Sequence, residues 1–176
     1  PLIDLKGKSM IQRVFEGAKK STRITEVIVA TDDQRIFDEV QRFGGKVMMT
    51  KESHPSGTDR CAEVASHFPD MDVVINIQGD EPLVDFRQLE QLIDAFIEPK
   101  TDIATLGNLS LTQEDVDNPN RIKVVVNAKN SALYFSRSAI PNSYHSKGNP
   151  LEKYPYMRHI GLYAYRSSVL QELTKL

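Results

Sequence analysis

The chain has 176 residues, 40% of them hydrophobic, enough to bury one substantial core, and this length favours a single domain, 1–176, over two. Lys and Arg total 22 against 24 Asp and Glu; the formal net charge of -2 lacks the basic footprint of a protein that binds nucleic acid or an anionic membrane surface. No apolar run approaches the roughly 20 residues of a membrane span, and a single cysteine excludes an internal disulfide and suits a reducing compartment. The expectation is a cytoplasmic globular protein whose partner is a small molecule, with no nucleic acid and no membrane.

Ile11, Val14, Phe15 and Ala18 share one helical face, and Val27-Ile28-Val29-Ala30 is an apolar run suited to a strand covered on both sides. Ile36, Phe37, Val40 and Phe43 repeat the helical spacing, and Gly44-Gly45 supplies the stop that a left-handed cap requires. Val47-Met48-Met49 reads as a strand, Gly57 to Phe68 as a helix and Val73 to Ile77 as a third buried strand. Phe86, Leu89, Leu92, Ile93, Phe96 and Ile97 form another amphipathic pattern. Strands alternating with helices predict an α/β fold, a mainly parallel sheet with helices on both faces.

After Pro99 the rhythm changes. Ile103 to Leu109, Ile122 to Val126 and Ala132 to Phe135 read as strands, the last two joined by Asn127-Ala128-Lys129-Asn130 into a hairpin. Asn142 to Pro155 is polar and reads as a mobile loop, followed by a strand at Ile160 to Tyr165 and a helix at Leu170 to Leu176. The chain opens Pro1-Leu2-Ile3-Asp4-Leu5 without an initiator Met and closes inside that helix, so both ends read as cuts through a longer protein.

Four motifs could carry chemistry. In Asn76-Ile77-Gln78-Gly79-Asp80-Glu81-Pro82, Gly79 lets backbone approach a ligand at a strand's carboxyl end, where ligands of open α/β sheets bind. Asp80 would project a hard oxygen there, and Mg²⁺ typically takes one or two protein carboxylates besides water and phosphate. The same residues suit the start of the next helix, where acids and Pro are favoured. Spacing does not choose between metal ligand and helix cap, and both can hold.

His54-Pro55-Ser56-Gly57-Thr58-Asp59-Arg60 opens a helix with small residues and an Arg, a setting suited to phosphate, carboxylate or base recognition. An ordinary cap by Ser56 or Thr58 explains its composition better. Cys61 reads as a small buried residue, not a nucleophile, and His67 as a surface or helix-end histidine. Tyr134-Phe135-Ser136-Arg137-Ser138 places Tyr134 and Ser136 on one strand face and Phe135 and Arg137 on the other. Hydroxyls and a guanidinium suit a polyhydroxy acid; a core Tyr beside a surface Arg is the simpler reading. Arg158-His159 precedes the last strand within reach of an anion, although a lone His there is usually structural.

Taken in order, these segments resemble one family. Pro1-Leu2-Ile3-Asp4 through Gly7-Lys8, Val29-Ala30-Thr31-Asp32, Ser56-Gly57-Thr58-Asp59-Arg60, Gln78-Gly79-Asp80-Glu81-Pro82, Ala132-Leu133-Tyr134-Phe135-Ser136-Arg137 and Arg158-His159-Ile160-Gly161 are similar to the CMP-Kdo synthetases, the 3-deoxy-manno-octulosonate cytidylyltransferases. The resemblance runs along almost the whole chain. It implies a three-layer αβα nucleotidyltransferase fold of Rossmann-like type, with a late antiparallel excursion for substrate and dimer contacts, and a homodimer. It implies transfer of CMP from CTP to Kdo, giving CMP-Kdo and pyrophosphate for lipopolysaccharide biosynthesis, with Mg²⁺ as cofactor.

By motif, the resemblance implies that Asp80 holds Mg²⁺ against the CTP phosphates, and that Ser56 and Gly57 line the cytidine side near Thr31 and Asp32. Arg60, Gln78, Tyr134, Ser136, Arg137, Arg158 and His159 would surround Kdo, with Gly79 at the strand end and Arg60 acting with Asp80 in catalysis. Members of the family carry an Arg- and Lys-bearing loop before the position of Pro1 and a second metal-binding Asp beyond Leu176. Residues 1–176 alone are therefore expected to be poorly active. Pro55 stands where Gln is expected. The nearest rival activity is that of a CMP-sialate synthetase or another sugar nucleotidyltransferase. A non-catalytic nucleotide-binding paralogue is a further alternative; a dinucleotide-dependent dehydrogenase is disfavoured because no G-x-G-x-x-G follows a predicted strand.

Overall fold

A computed structural model describes residues 1–143 and 148–175. The chain gathers into two compact units, Pro1–Ala104 with Leu162–Leu176, and Thr105–Gly161.

In the first unit, α1 (Met10–Ala18) starts where Ser9 Oγ accepts from the Gln12 amide at 3.4 Å, and it buries Ile11, Val14, Phe15 and Ala18, the face the spacing predicts. β1 (Ile28–Thr31) leads into α2 (Gln34–Arg42), capped by Asp33, whose Oδ1 accepts from the Arg35 amide at 2.8 Å. Gly44 ends this helix at φ +75°, a conformation that costs glycine little, and the Gly44 and Gly45 amides donate to Gln41 and Val40. β2 (Lys46–Met49) then lies parallel to β1, from Ile28↔Lys46 to Thr31↔Met49, completing a β–α–β crossover. α3 (Gly57–Ser66), β3 (Val73–Asn76) and α4 (Phe86–Asp94) follow, and a 3₁₀ turn (Ala95–Ile97) extends α4. Leu89 and Leu92 of α4 are fully or almost fully buried.

β4 (Ile103–Asn108) begins in the first unit and continues into the second. There α5 (Gln113–Asp117) is closed by a reciprocal cap, Thr112 and Asp115 each accepting from the other's amide. β5 (Lys123–Val126) and β6 (Ala132–Ser136) form the expected hairpin. Its turn is fixed by Asn127 Oδ1, which accepts from the Lys129 and Ser131 amides at 2.8 and 3.0 Å. α6 (Pro150–Lys153) is a single turn capped by Asn149. β7 (Arg158–Arg166) meets β5 at Lys123↔Arg158 in the second unit, and its last residues pair with β3 in the first, from Val73↔Arg166 to Asn76↔Tyr163. α7 (Ser167–Leu173) follows directly.

Three expectations change. The sheet is mixed, not mainly parallel: β1–β2 is parallel, whereas β3–β7, β5–β6 and β5–β7 are antiparallel. An apolar run predicts that a strand is covered, but its direction depends on which distant segment returns beside it. The segment Asn142 to Pro155 is not all loop, because Pro150–Lys153 is helical; Tyr144, His145, Ser146 and Lys147 lie outside the described residues. The last helix starts at Ser167, ahead of the expected Leu170.

Candidate active site

In the first unit, the Gln78 motif forms a turn just past β3, where the Glu81 amide donates to Gln78 O at 3.2 Å. The helix that follows does not use Asp80 as a cap. Asp85 does that work: its side chain accepts from the Arg87 amide, and Gln88 returns a bond to the Asp85 amide. This overturns the capping alternative for Asp80. Among the described residues Asp80 is exposed and its carboxylate has no hydrogen-bonding or ionic partner. A hard oxygen donor thus stands free at the carboxyl end of a strand.

The Ser56 loop meets this turn. A β-carbon at Gly57 would stand 3.6 Å from Gln78 Nε2 and 4.0 Å from Asn76 Nδ2, so the two motifs are neighbours. Ser56 is the cap of α3, accepting from the Asp59 amide at 3.3 Å and donating to the Asp59 carboxylate, as composition favoured. Behind the loop, His54 pairs with Glu63, which also accepts from the Lys51 amide at 3.0 Å. The bond to His54 holds the Glu63 carboxyl below its usual range. Arg60 reaches backward, donating to Thr50 Oγ1 at 2.5 Å and Asp32 Oδ2 at 2.6 Å.

Thr31 is buried and accepts from the Asp33 amide, which makes it part of the β1 end. Burial pushes the Cys61 thiol up to about 11, so this cysteine is inert at neutral pH, in keeping with its reading as a small packing residue. A cleft of about 620 Å³ runs between β1 and β3, with Gly57, Arg60, Gln78 and Gly79 at its polar end. Among the described residues, β1 pairs only with β2, and β3 only with β7.

In the second unit, Tyr134 and Ser136 lie on β6, Arg137 directly after it, and Arg158 and His159 at the start of β7. Ser136 and Arg158 both stand opposite Lys123, on either side of β5. Arg158 Nη1 lies 3.5 Å from Asp115 Oδ1, which also takes Arg121 at 2.5 Å. The amide and hydroxyl of Thr112, then the two Arg side chains, hold the Asp115 carboxyl below the usual range. Arg137 Nη1 donates to Pro119 O at 3.2 Å.

His159 is half-buried, its ring edge-on to Phe135 with centroids 5.0 Å apart, and burial lowers its pKa. Thr105 Oγ1 lies 2.9 Å from His159 Nε2 and donates to Ile160 O at 3.1 Å. The direction of the Thr105–His159 bond follows the tautomer of the ring. Tyr134 is 63% exposed beside Leu133 at 65%, so it is a surface residue and not the core Tyr of the simpler reading.

The whole chain, residues 1–176, matches the family model described as cytidylyltransferase. It is 45% identical to the 3-deoxy-manno-octulosonate cytidylyltransferase of Cytophaga hutchinsonii, covering 100% of this chain and 71% of the relative. It is likewise 45% identical to that of Escherichia coli, with 100% and 69% covered. Its structure resembles a CMP:2-keto-3-deoxy-manno-octonic acid synthetase solved with CTP, at TM-score 0.90 and 45% identity over 100% of this chain and 70% of that one. The chain belongs to the 3-deoxy-manno-octulosonate cytidylyltransferases. A 4-diphosphocytidyl-2C-methyl-D-erythritol synthase from Anaerococcus prevotii, 15% identical at TM-score 0.62, shares the fold across 98% of this chain and 68% of its own.

As a cytidylyltransferase, the chain has an α/β nucleotidyltransferase fold with a mixed sheet. The residues read from the motifs fall into two sets: Ser56, Gly57, Arg60, Gln78, Gly79 and Asp80 in the first unit, the other five in the second. Sequence reasoning passed over Lys123, Asp115 and Asp85. A lysine inside Ile122-Lys123-Val124-Val125-Val126 and the Thr112-x-x-Asp115 spacing were the available signals. No group of three or more His, Cys, Asp or Glu side chains able to hold a metal occurs among the described residues. None of the described helices is long and apolar enough to cross a membrane.

Proposed function

We propose that this chain transfers CMP from CTP to 3-deoxy-manno-octulosonate, releasing pyrophosphate. The observation that carries this reading is likeness along the entire chain to a synthetase solved with CTP. The anomeric hydroxyl of the sugar acid attacks the α-phosphorus in line. The new sugar–oxygen–phosphorus bond forms as the bond to the pyrophosphate oxygen breaks, and the hydroxyl proton leaves to solvent. Such transfer depends on positioning and electrostatics and needs no covalent enzyme intermediate.

The fit of Mg²⁺ rests on Asp80, an exposed carboxylate with no competing cation among the described residues. One such oxygen suits a magnesium ion completed by water and phosphate. When bound there, the metal would offset charge on the triphosphate. Ser56 and Gly57 face the nucleotide, Asp80 the phosphates and Gln78 the sugar acid, with Gly79 at the strand end. Arg137 and Arg158 supply guanidinium forks for the carboxylate of the sugar acid, while Tyr134, Ser136 and His159 offer hydrogen bonds to its hydroxyls. Arg60, committed to Asp32 and Thr50, acts by bracing the nucleotide loop.

The exposed Leu133, Tyr134 and Phe135 of β6 suit a homodimer contact. The product would feed lipopolysaccharide assembly from the cytoplasm. The test is pyrophosphate release by the full-length protein with CTP and magnesium, comparing the eight-carbon sugar acid with sialate. Release with sialate but not with the former would overturn the assignment, as would trapping a covalent cytidylyl-enzyme.

A further inference from the structure

Lys123 is 0% exposed, inside a strand that is otherwise apolar. Burying an ammonium is unfavourable unless its protons are taken up, and here both bonds go to backbone carbonyls. Lys123 Nζ donates to Asn118 O at 2.9 Å and to Arg137 O at 2.8 Å. Asn118 is the residue that ends α5, and Arg137 is the first residue past β6. The ammonium therefore ties two segments that share no strand pairing.

Arg137 closes a second link, its guanidinium donating to Pro119 O at 3.2 Å. Main chain and side chain of Arg137 are thus both referred to the Asn118-Pro119 turn. On its own strand Lys123 sits opposite Ser136 on one side and Arg158 on the other. Directly paired residues point to the same sheet face, so Lys123 shares a face with both. Arg158 is steadied by Asp115, three residues before Asn118 on the same short segment.

We propose that Lys123 is a positioning residue for the acid-sugar substrate. Its buried ammonium fixes the backbone at Arg137 and the α5 end, and so sets the spacing of the Arg137 and Arg158 guanidinium groups that take the substrate carboxylate. This rests on the functional reading given above. Burial lowers the pKa of Lys123, and the nearby Asp117 carboxylate works against that shift.

The experiment compares Lys123→Met and Lys123→Gln with the parent full-length enzyme, each normalised to folded protein by circular dichroism and assayed well below its own Tm. Lys123→Met removes the ammonium from both carbonyls and leaves Asn118 O only the Arg121 amide, whereas Lys123→Gln can still donate through its amide. The expected result is that Met raises KM for the sugar acid by about tenfold or more, with KM for CTP unchanged, and that Gln partly restores it. A loss confined to the folded fraction, with KM for the sugar acid unaltered, overturns the proposal. Failure of both variants to fold makes Lys123 a purely structural residue and also overturns it. A parent enzyme that turns over CTP with no eight-carbon sugar acid removes the functional reading, and this inference with it.

Discussion

Arg60 Nη2 lies 2.6 Å from Asp32 Oδ2, joining α3 to the loop that leaves β1. Arg60 also holds Thr50 Oγ1, at the end of β2, so one guanidinium binds the ends of both parallel strands to the helix that carries Ser56 and Gly57. Asp32→Asn removes the charge from this brace but leaves a shape that still accepts a hydrogen bond. The pair is partly exposed, so the expected loss is about 1 kcal/mol, weakened further by salt. Urea unfolding at low and high ionic strength checks this; equal loss under both conditions would contradict an electrostatic brace.

Asp80 and Asp85 separate function from stability within one turn of chain. Asp80→Ala should reduce magnesium-dependent pyrophosphate release by at least about a hundredfold while leaving Tm unchanged, because no described group depends on that carboxylate. Asp85→Ala should do the reverse, lowering Tm through loss of the α4 cap while preserving most activity. Parallel melting curves and pyrophosphate assays decide the matter. A lowered Tm for Asp80→Ala would return Asp80 to a structural role.

Acid should destabilise the protein in a defined window. Hydrogen bonds from Arg35, Arg42 and Arg87 hold Asp33, Glu39 and Asp85, respectively, at about 2, against ordinary values of 3.8, 4.5 and 3.8. A carboxylate whose folded pKa is depressed adds stability above its unfolded value and loses it as pH falls through the folded one. Stability should therefore decline between about pH 4.5 and 2 on this account. All three pairs lie near the surface, so added salt should soften the slope. A flat Tm across this range would refute it.

His159 should be neutral at pH 7. Burial lowers its pKa below the ordinary 6.5, so the folded state gains its proton only at greater acidity than the unfolded chain. Its contribution is complete above that ordinary value and falls away as pH drops through the lowered one. Nitrogen-15 chemical shifts of the ring, followed against pH, test this. A ring still protonated at pH 7 would contradict it.

Leu170→Ala should cost about 2–5 kcal/mol, since Leu170 is 0% exposed and packs with Ala62, Ala65 and Tyr165. The damage should be felt at α3, and faster amide exchange in Gly57–Ser66 is the measurement that checks it.

Much of this was legible from residue types. The Ser56 cap, the Gly44 stop and the Asn127 turn each rest on local chemistry, and each appears where local chemistry puts it. Sheet direction was not legible, because β3 finds its antiparallel partner far along the chain. Asp80 could be read equally as a cap or as a metal ligand, because an acid near a helix start suits both; only the position of Asp85 removes the capping role. Lys123 escaped notice for a related reason. A charged residue in an apolar strand reads as an edge or an interruption until the two carbonyls that receive it are in place.

The packing of α7 on α3 has a consequence for the order in which the protein can be built. Gln171 Nε2 donates to Ala62 O at 2.7 Å, and Leu170 closes the cluster beneath the helix that presents Ser56 and Gly57. β3 likewise receives its partner strand from residues Tyr163 to Arg166. A ribosome that has already emitted the Ser56–Gly57 loop has not yet synthesised the segment that packs beneath its helix. The loop helix and β3 must wait, incompletely covered, until the late strand and helix emerge and return to them. Maturation of the Ser56–Gly57 loop is thereby coupled to translation of a segment 109 residues further along the chain, the separation of Gln171 from Ala62.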